Sequence, residues 1–352
     1  MKYGLTIILA VLFLLNGSCS GREGQERQRQ GGLRTGIVIP DVKCAGAPYC
    51  SYSLFLPTTY SEGKTLPVFV AFDPQAKGTF PVSLYSGLAE KYGFILMGSN
   101  DSRNGQSMQD IGRISQALTA EARSRFHADS TRIFLAGFSG GARVACIIGM
   151  FGEKVQGVIG CGAGLPETSQ KRLHSFDYFI LAGEADPNLP EVILQDQVLT
   201  KSGWKHQLLV IPGGHEWPPA PEMEKAVRWM RGELPPVPAP AVPLETYYKT
   251  DQETVLQKEI MNHFMQGDTV WMEKQVRTLR NQSEHAKNIT DSLMARRLIA
   301  FLGIMAWSTS TRQLNGRQLD QAYRSLVMYR MVEPGNPAVD SLFSIYYQAR
   351  NR

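Results

Sequence analysis

Between residues 36 and 232 the chain alternates short apolar runs with longer stretches whose apolar residues recur at helical intervals. VFVAF, FILMG, IFLAG, VIGCG, YFILAG and LLVIPG are short enough for strands and end on or beside glycine, proline or another turn former. Continuous apolar runs of this length suit strands buried on both faces. The stretch MQDIGRISQALTAEARSRF, residues 108–126, instead spaces its apolar side chains along one helical stripe. Strand–helix alternation sustained this far predicts an α/β fold, a doubly wound and mostly parallel sheet with helices on both faces. GIVIP and SYSLFLP have no helix between them and predict an antiparallel edge hairpin, with CAGAPYC as a loop.

The pattern changes at ELPPVPAPAVPLE, residues 233–245, where proline recurs without apolar periodicity and predicts a stiff linker. Residues 246–352 carry helical patterns only, which predicts a small all-α domain. Apolar residues 298–307 follow Arg296-Arg297 and are too few to span a bilayer, so they read as a helix buried in its own bundle. Ala322, Leu326 and Pro334 match the second helix of a tetratricopeptide repeat, although a plain helical hairpin accounts for them equally well.

The first residues read as an address. Lys2 precedes the apolar run LTIILAVLFLL and a small-residue exit, so residues 1–18 are expected to be a secretory signal. Cys19 after Gly17-Ser18 resembles a lipobox, with Asn16 where leucine is usual; the alternative is ordinary cleavage near Ser18 or Ser20. Acylation of Cys19 would make residues 19–35, which are polar and unsuited to packing, a tether from membrane to domain. Export implies an oxidising setting for the other four cysteines. Cys44 and Cys50 are placed to close their loop as a disulfide, while Cys146 and Cys161 lie in apolar contexts that suit buried thiols, with pairing of the two as the alternative. No Cys/His spacing suggests a metal site. Charged residues make up 20% of the 352 and the net charge is +5, with no basic patch interleaved with aromatics, so nucleic acid is not an expected partner.

Chemistry concentrates at Gly137-Phe138-Ser139-Gly140-Gly141. The motif follows a strand pattern, TRIFLA, and precedes a helix pattern, ARVACIIGMF. In that setting the glycines permit a strained turn that lifts Ser139 above the sheet edge, and the helix N-terminus offers Gly140 as an oxyanion donor. The plainer alternative is a glycine-rich connection with an idle serine. A serine nucleophile needs a base, and His215 follows the strand end Ile211-Pro212-Gly213-Gly214 and precedes a helix, where open α/β sheets place their sites. The other five histidines fall in polar stretches or at a strand edge. The orienting carboxylate is Asp186, just past DYFILAG, with Glu184 as competitor. Pro74 has no N–H, so a second oxyanion donor from Asp73-Pro74-Gln75-Ala76 must be Gln75 or Ala76. Trp217 and residues of the loop Asn100–Gly105 are candidates for the substrate rim; Trp217 equally suits packing onto the last helix of the sheet domain.

These motifs, with LPVFVAFDPQ, GSNDSRNG, RIFLAGFSGGARVA, LAGEADP and GGHEWP, make residues 51–232 resemble small α/β-hydrolases of the dienelactone hydrolase, polyhydroxybutyrate depolymerase and feruloyl esterase type. The resemblance implies Ser139 as nucleophile, His215 as general base then acid, Asp186 as its orienter, Gln75 and Gly140 around the oxyanion, and no metal or organic cofactor. A serine where dienelactone hydrolases carry cysteine points to ester hydrolysis. Only LPETSQKRLHSF separates two strand patterns where a cap domain could be inserted. An uncapped site suits a bulky ester, such as an acylated polysaccharide. The expectation is an exported serine esterase, held at the membrane by lipid, with the helical domain offered to a protein partner. The alternatives are an exopeptidase of the prolyl-oligopeptidase superfamily and a non-catalytic binding lipoprotein.

Overall fold

The computed structural model describes residues 33–128, 131–168, 171–233 and 243–351. The expected signal, the lipidated Cys19 and most of the proline-rich linker lie outside the described residues.

Eight strands form one sheet in the order β1-β2-β4-β3-β5-β6-β7-β8. They are β1 Val38–Cys44, β2 Ala47–Phe55, β3 Val68–Phe72, β4 Ile95–Ser99, β5 Ile133–Phe138, β6 Gly157–Cys161, β7 Asp177–Gly183 and β8 His206–Ile211. From β4 through β8 all neighbours are parallel. β1 and β2 form the antiparallel edge hairpin. That hairpin reaches further than its sequence pattern. Cys44 pairs with Ala47 across a tight turn, so much of CAGAPYC is strand and not loop. The expected disulfide is not formed: Cys44 and Cys50 are free, buried thiols. They sit against each other, and a hydrogen bond from the Cys50 thiol lowers the pKa of Cys44 and raises that of Cys50.

Alternate side chains along each strand feed two cores, as a two-residue repeat requires. Val68, Val70 and Phe72 point to one face with Ile133, Leu135 and Ile180. Phe69 and Ala71 point to the other with Phe134, Ala136 and Leu181. Helices α1 (Thr79–Tyr92) and α5 (Ala220–Met230) cover the second face. Helices α2 (Met108–Phe126), α3 (Gly140–Phe151) and α4 (Leu189–Lys201) cover the first. β3, β4 and β6 are buried along their whole length, which explains their uninterrupted apolar sequences. Helix α2 keeps the bounds its apolar stripe predicts because both ends are fixed. The Ser107 hydroxyl accepts the Asp110 N–H at 3.1 Å, and His127 closes the helix in a left-handed conformation.

Beyond the linker lie α6 (Asp251–Gln266), α7 (Thr269–His285), α8 (Ile289–Asn315), α9 (Leu319–Val332) and α10 (Pro337–Arg350). Thr250, Asp268, Asn288 and Asn336 cap four of them through side-chain oxygens. Their shared core contains Leu298, Leu302 and Ala306, so the apolar stretch of α8 is buried by its neighbours, and Ala322 and Leu326 face the same core. Among the described residues no helix is long and apolar enough to cross a membrane. This core encloses an ion pair between Glu253 and Arg297, with Nε–Oε1 at 3.0 Å and Nη2–Oε2 at 2.6 Å. The helical region is docked on the sheet domain. Tyr247 and Leu293 join the core beside α4, and Arg296 pairs with Glu184 at 3.1 Å.

Candidate active site

Ser139 stands alone between β5 and α3 with φ +52° and ψ −120°. A side chain beyond glycine rarely holds that conformation, and the cost is met by what surrounds it. The Ser139 N–H donates to Cys161 O at 2.8 Å, while Ser139 O accepts from Ala142 and Arg143 at 3.1 and 3.3 Å. The turn closes only over bare backbone. A Cβ on Gly137 would lie 2.2 Å from Gly141 O, and one on Gly141 would lie 1.9 Å from Phe72 O. A serine at this position ordinarily caps its own helix. Here the hydroxyl makes no cap and turns to His215.

The loop after β8 carries His215, and the loop after β7 carries Asp186. His215 Nε2 is 2.9 Å from Ser139 Oγ, and its Nδ1 is 2.8 Å from Asp186 Oδ2. A carboxylate at Nδ1 selects the tautomer with the proton there, which leaves Nε2 to accept the serine O–H. The Asp186 side chain is 1% exposed and that of His215 9%. The second Asp186 oxygen accepts the Asn188 N–H at 2.8 Å, so the carboxylate is fixed from both sides. Gly162, at φ +64°, makes room for the pair: a Cβ there would meet Asp186 Oδ2 at 2.9 Å and His215 Nδ1 at 3.2 Å. The Phe138 ring lies 4.7 Å from the imidazole and limits its tilt. Such a chain can take the serine proton, hold it on imidazole and balance the imidazolium with a buried carboxylate. Glu184, the competing acid, faces Arg296 of the helical region and not the imidazole.

The structure brings Ser139, His215 and Asp186 into one hydrogen-bonded chain, but separates other expected site residues from it. Gly140 opens α3, and its N–H is a first-turn donor with no acceptor inside the helix. The Gln75 N–H is spent on Asp73 Oδ1 at 2.9 Å, because the aspartate before proline folds the loop back on itself. Trp217 is not at the rim. It is 7% exposed, its Nε1–H donates to Asp73 Oδ2 at 3.0 Å, and its ring packs against Phe138 and Tyr85. Asn100 is also turned inward. Its Nδ2 donates to Pro40 O and its Oδ1 accepts from the Ser53 hydroxyl, both at 3.0 Å, tying β4 to the edge hairpin. Asp73 and Gly162 were not singled out as site residues from the sequence, and Asn104 fell only within the expected rim loop 100–105. Asp-Pro at a strand end signals a turn, and GSNDSRNG marks a polar loop, but nothing in either string says where its side chains point.

The sheet order, with a strained strand-to-helix turn after β5, defines the class: this is an α/β-hydrolase fold. No protein-family profile matches the chain, and no curated protein matches it. Among solved structures it is similar to an S-formylglutathione hydrolase from Staphylococcus aureus, at 13% identity over 56% of this chain and 98% of that one, with a TM-score of 0.45. It is similar to a ferulic acid esterase at 19% identity, over 55% of this chain and 95% of that one, with a TM-score of 0.42. A feruloyl esterase module from Clostridium thermocellum is similar at 13% identity, over 52% and 83%, with a TM-score of 0.43.

Proposed function

We propose that the protein is a serine hydrolase that cleaves carboxylic acyl esters through an acyl-enzyme on Ser139. The observation that carries this reading is the Ser139–His215–Asp186 chain, with its distances of 2.9 and 2.8 Å, at a strained turn beside a helix N-terminus. Ser139 Oγ attacks the acyl carbon while its proton passes to His215 Nε2, and the carbonyl oxygen becomes an oxyanion. Collapse expels the alcohol, which takes the proton from His215. Water then attacks the acyl-enzyme by the same route, with His215 again receiving and returning a proton, and releases the carboxylic acid.

The proposal includes an exported, lipid-anchored protein acting on a bulky ester such as an acylated polysaccharide. The apolar segment before Cys19 supports the anchor, and the short β6–β7 connection, residues 162–176, supports an uncapped site. Hydrolysis of short p-nitrophenyl esters by the purified protein, abolished in a folded Ser139→Ala variant, tests the chemistry. Equal activity in that variant would defeat it. Incorporation of labelled fatty acid, lost in Cys19→Ala, tests the anchor.

A further inference from the structure

The start of the β3–α1 loop offers no N–H to an oxyanion at Ser139. Pro74 has none, Gln75 donates to Asp73 Oδ1 at 2.9 Å, and Ala76 donates to Asp73 O at 3.2 Å. An oxyanion held by Gly140 alone would lack a second donor.

The neighbouring β4–α2 loop packs against this one and reaches Gly140. Asn104 N–H donates to Pro74 O at 2.9 Å, and Gln75 and Arg103 form an antiparallel bridge, so the two loops are stitched together. The second loop is braced internally as well. Gln106 accepts the Arg103 N–H at 2.8 Å and donates to Asp101 O at 2.9 Å, while the Asp101 carboxylate accepts the Ser51 N–H at 2.6 Å. This bracing sets the Asn104 carboxamide directly over the residue that follows Ser139. A Cβ on Gly140 would lie 1.7 Å from Asn104 Oδ1, 2.7 Å from Cγ and 3.1 Å from Nδ2. Asn104 is exposed, and among the described residues its carboxamide has no protein partner. Its backbone N–H helps hold the loop, while its carboxamide is not engaged by another described residue.

On the serine-hydrolase reading of Ser139, we propose that the Asn104 side-chain amide is the second oxyanion donor, acting beside the Gly140 N–H. Rotation about χ2 exchanges the two ends of the carboxamide without moving the backbone, and so can turn Nδ2–H toward the reacting carbonyl. As the Oγ–C bond forms, the carbonyl π electrons move onto oxygen, and Nδ2–H and Gly140 N–H bond the charge. No proton leaves Asn104. A donor that bonds the oxygen as its charge develops stabilises the transition state more than the ground state, so its loss falls on kcat.

The test compares Asn104→Ala and the isosteric Asn104→Asp with wild type, using p-nitrophenyl acetate, an alkyl trifluoromethyl ketone and a fluorophosphonate probe read by intact mass. Both variants are expected to keep the wild-type melting temperature and KM while kcat falls roughly 10²–10³-fold, the range for loss of one such donor. The trifluoromethyl ketone, whose hemiketal oxygen sits where the oxyanion forms, should bind both variants more weakly, a readout that a purely packing role would not move. Wild-type kcat in a folded Asn104→Ala variant, or a change in KM alone, overturns the role of Asn104. A wild-type protein that takes no probe at Ser139 overturns the serine-hydrolase reading itself, whatever the variants do.

Discussion

The Trp217 indole N–H donates to the Asp73 carboxylate at 3.0 Å, and both side chains are buried. This bond joins the loop after β3 to the loop that carries His215, two residues before Trp217. The two loops that flank Ser139 are therefore locked to each other through side chains.

Trp217→Phe keeps most of the ring packing but leaves one Asp73 oxygen without its donor. Loss of a buried partner costs about 1–3 kcal/mol, which urea denaturation would read. With the His215 loop loosened, kcat should fall more than KM rises.

Asp186→Asn removes the acceptor that fixes the His215 tautomer. On the proposed mechanism kcat falls by about 10⁴-fold, with little change in substrate binding. Glu184→Gln should leave kcat near wild type, because Glu184 pairs with Arg296. Steady-state kinetics on both variants separates the two carboxylates.

Gly141→Ala places a methyl group 1.9 Å from Phe72 O, so β3 or α3 must move. Overpacking of this kind costs about 1–3 kcal/mol and occasionally more. The variant should lose ester hydrolysis more completely than it loses stability, since the displaced backbone is that of the Ser139 turn.

Much of the fold was legible because strand burial writes itself into sequence. VFVAF and VIGCG are apolar throughout since both faces of β3 and β6 are covered, and the α2 stripe coincides with its helix. The β1–β2 hairpin was underestimated because a tight turn with alanine and glycine looks like any loop. At the site, chain order and strand ends were enough to nominate Ser139, Asp186 and His215. Gln75, Trp217 and Asn100 were nominated by loop position alone. Loop position fixes where a Cα lies; which way a side chain or N–H points depends on its partners, a local one for Gln75 in Asp73 and distant ones for Trp217 in Asp73 and for Asn100 in Pro40 and Ser53.

In the helical region, Arg297→Met would strand the Glu253 carboxylate in an apolar core. Breaking a buried pair from one side costs about 3–5 kcal/mol, whereas Glu253→Leu combined with Arg297→Met should recover most of the loss. Denaturation of the single and double variants measures the difference.

Burial raises the Cys146 thiol from 9.0 to about 12 and raises Cys161 further. Both thiols should resist iodoacetamide at pH 8 in the native protein and react on unfolding, as peptide mass mapping would show. In the unfolded chain these thiols ionise near their ordinary value while the folded ones stay neutral. Their contribution is therefore complete below about pH 9 and is lost as pH rises through the folded values.

A nucleophilic Ser139 activated by His215 shows itself in the site of fluorophosphonate attachment, mapped by peptide mass spectrometry in wild type and in His215→Ala. A single adduct on Ser139 is expected in wild type and a strongly slowed one in the folded variant. No adduct in the wild type, an adduct on another residue, or equal labelling without His215 would contradict that role.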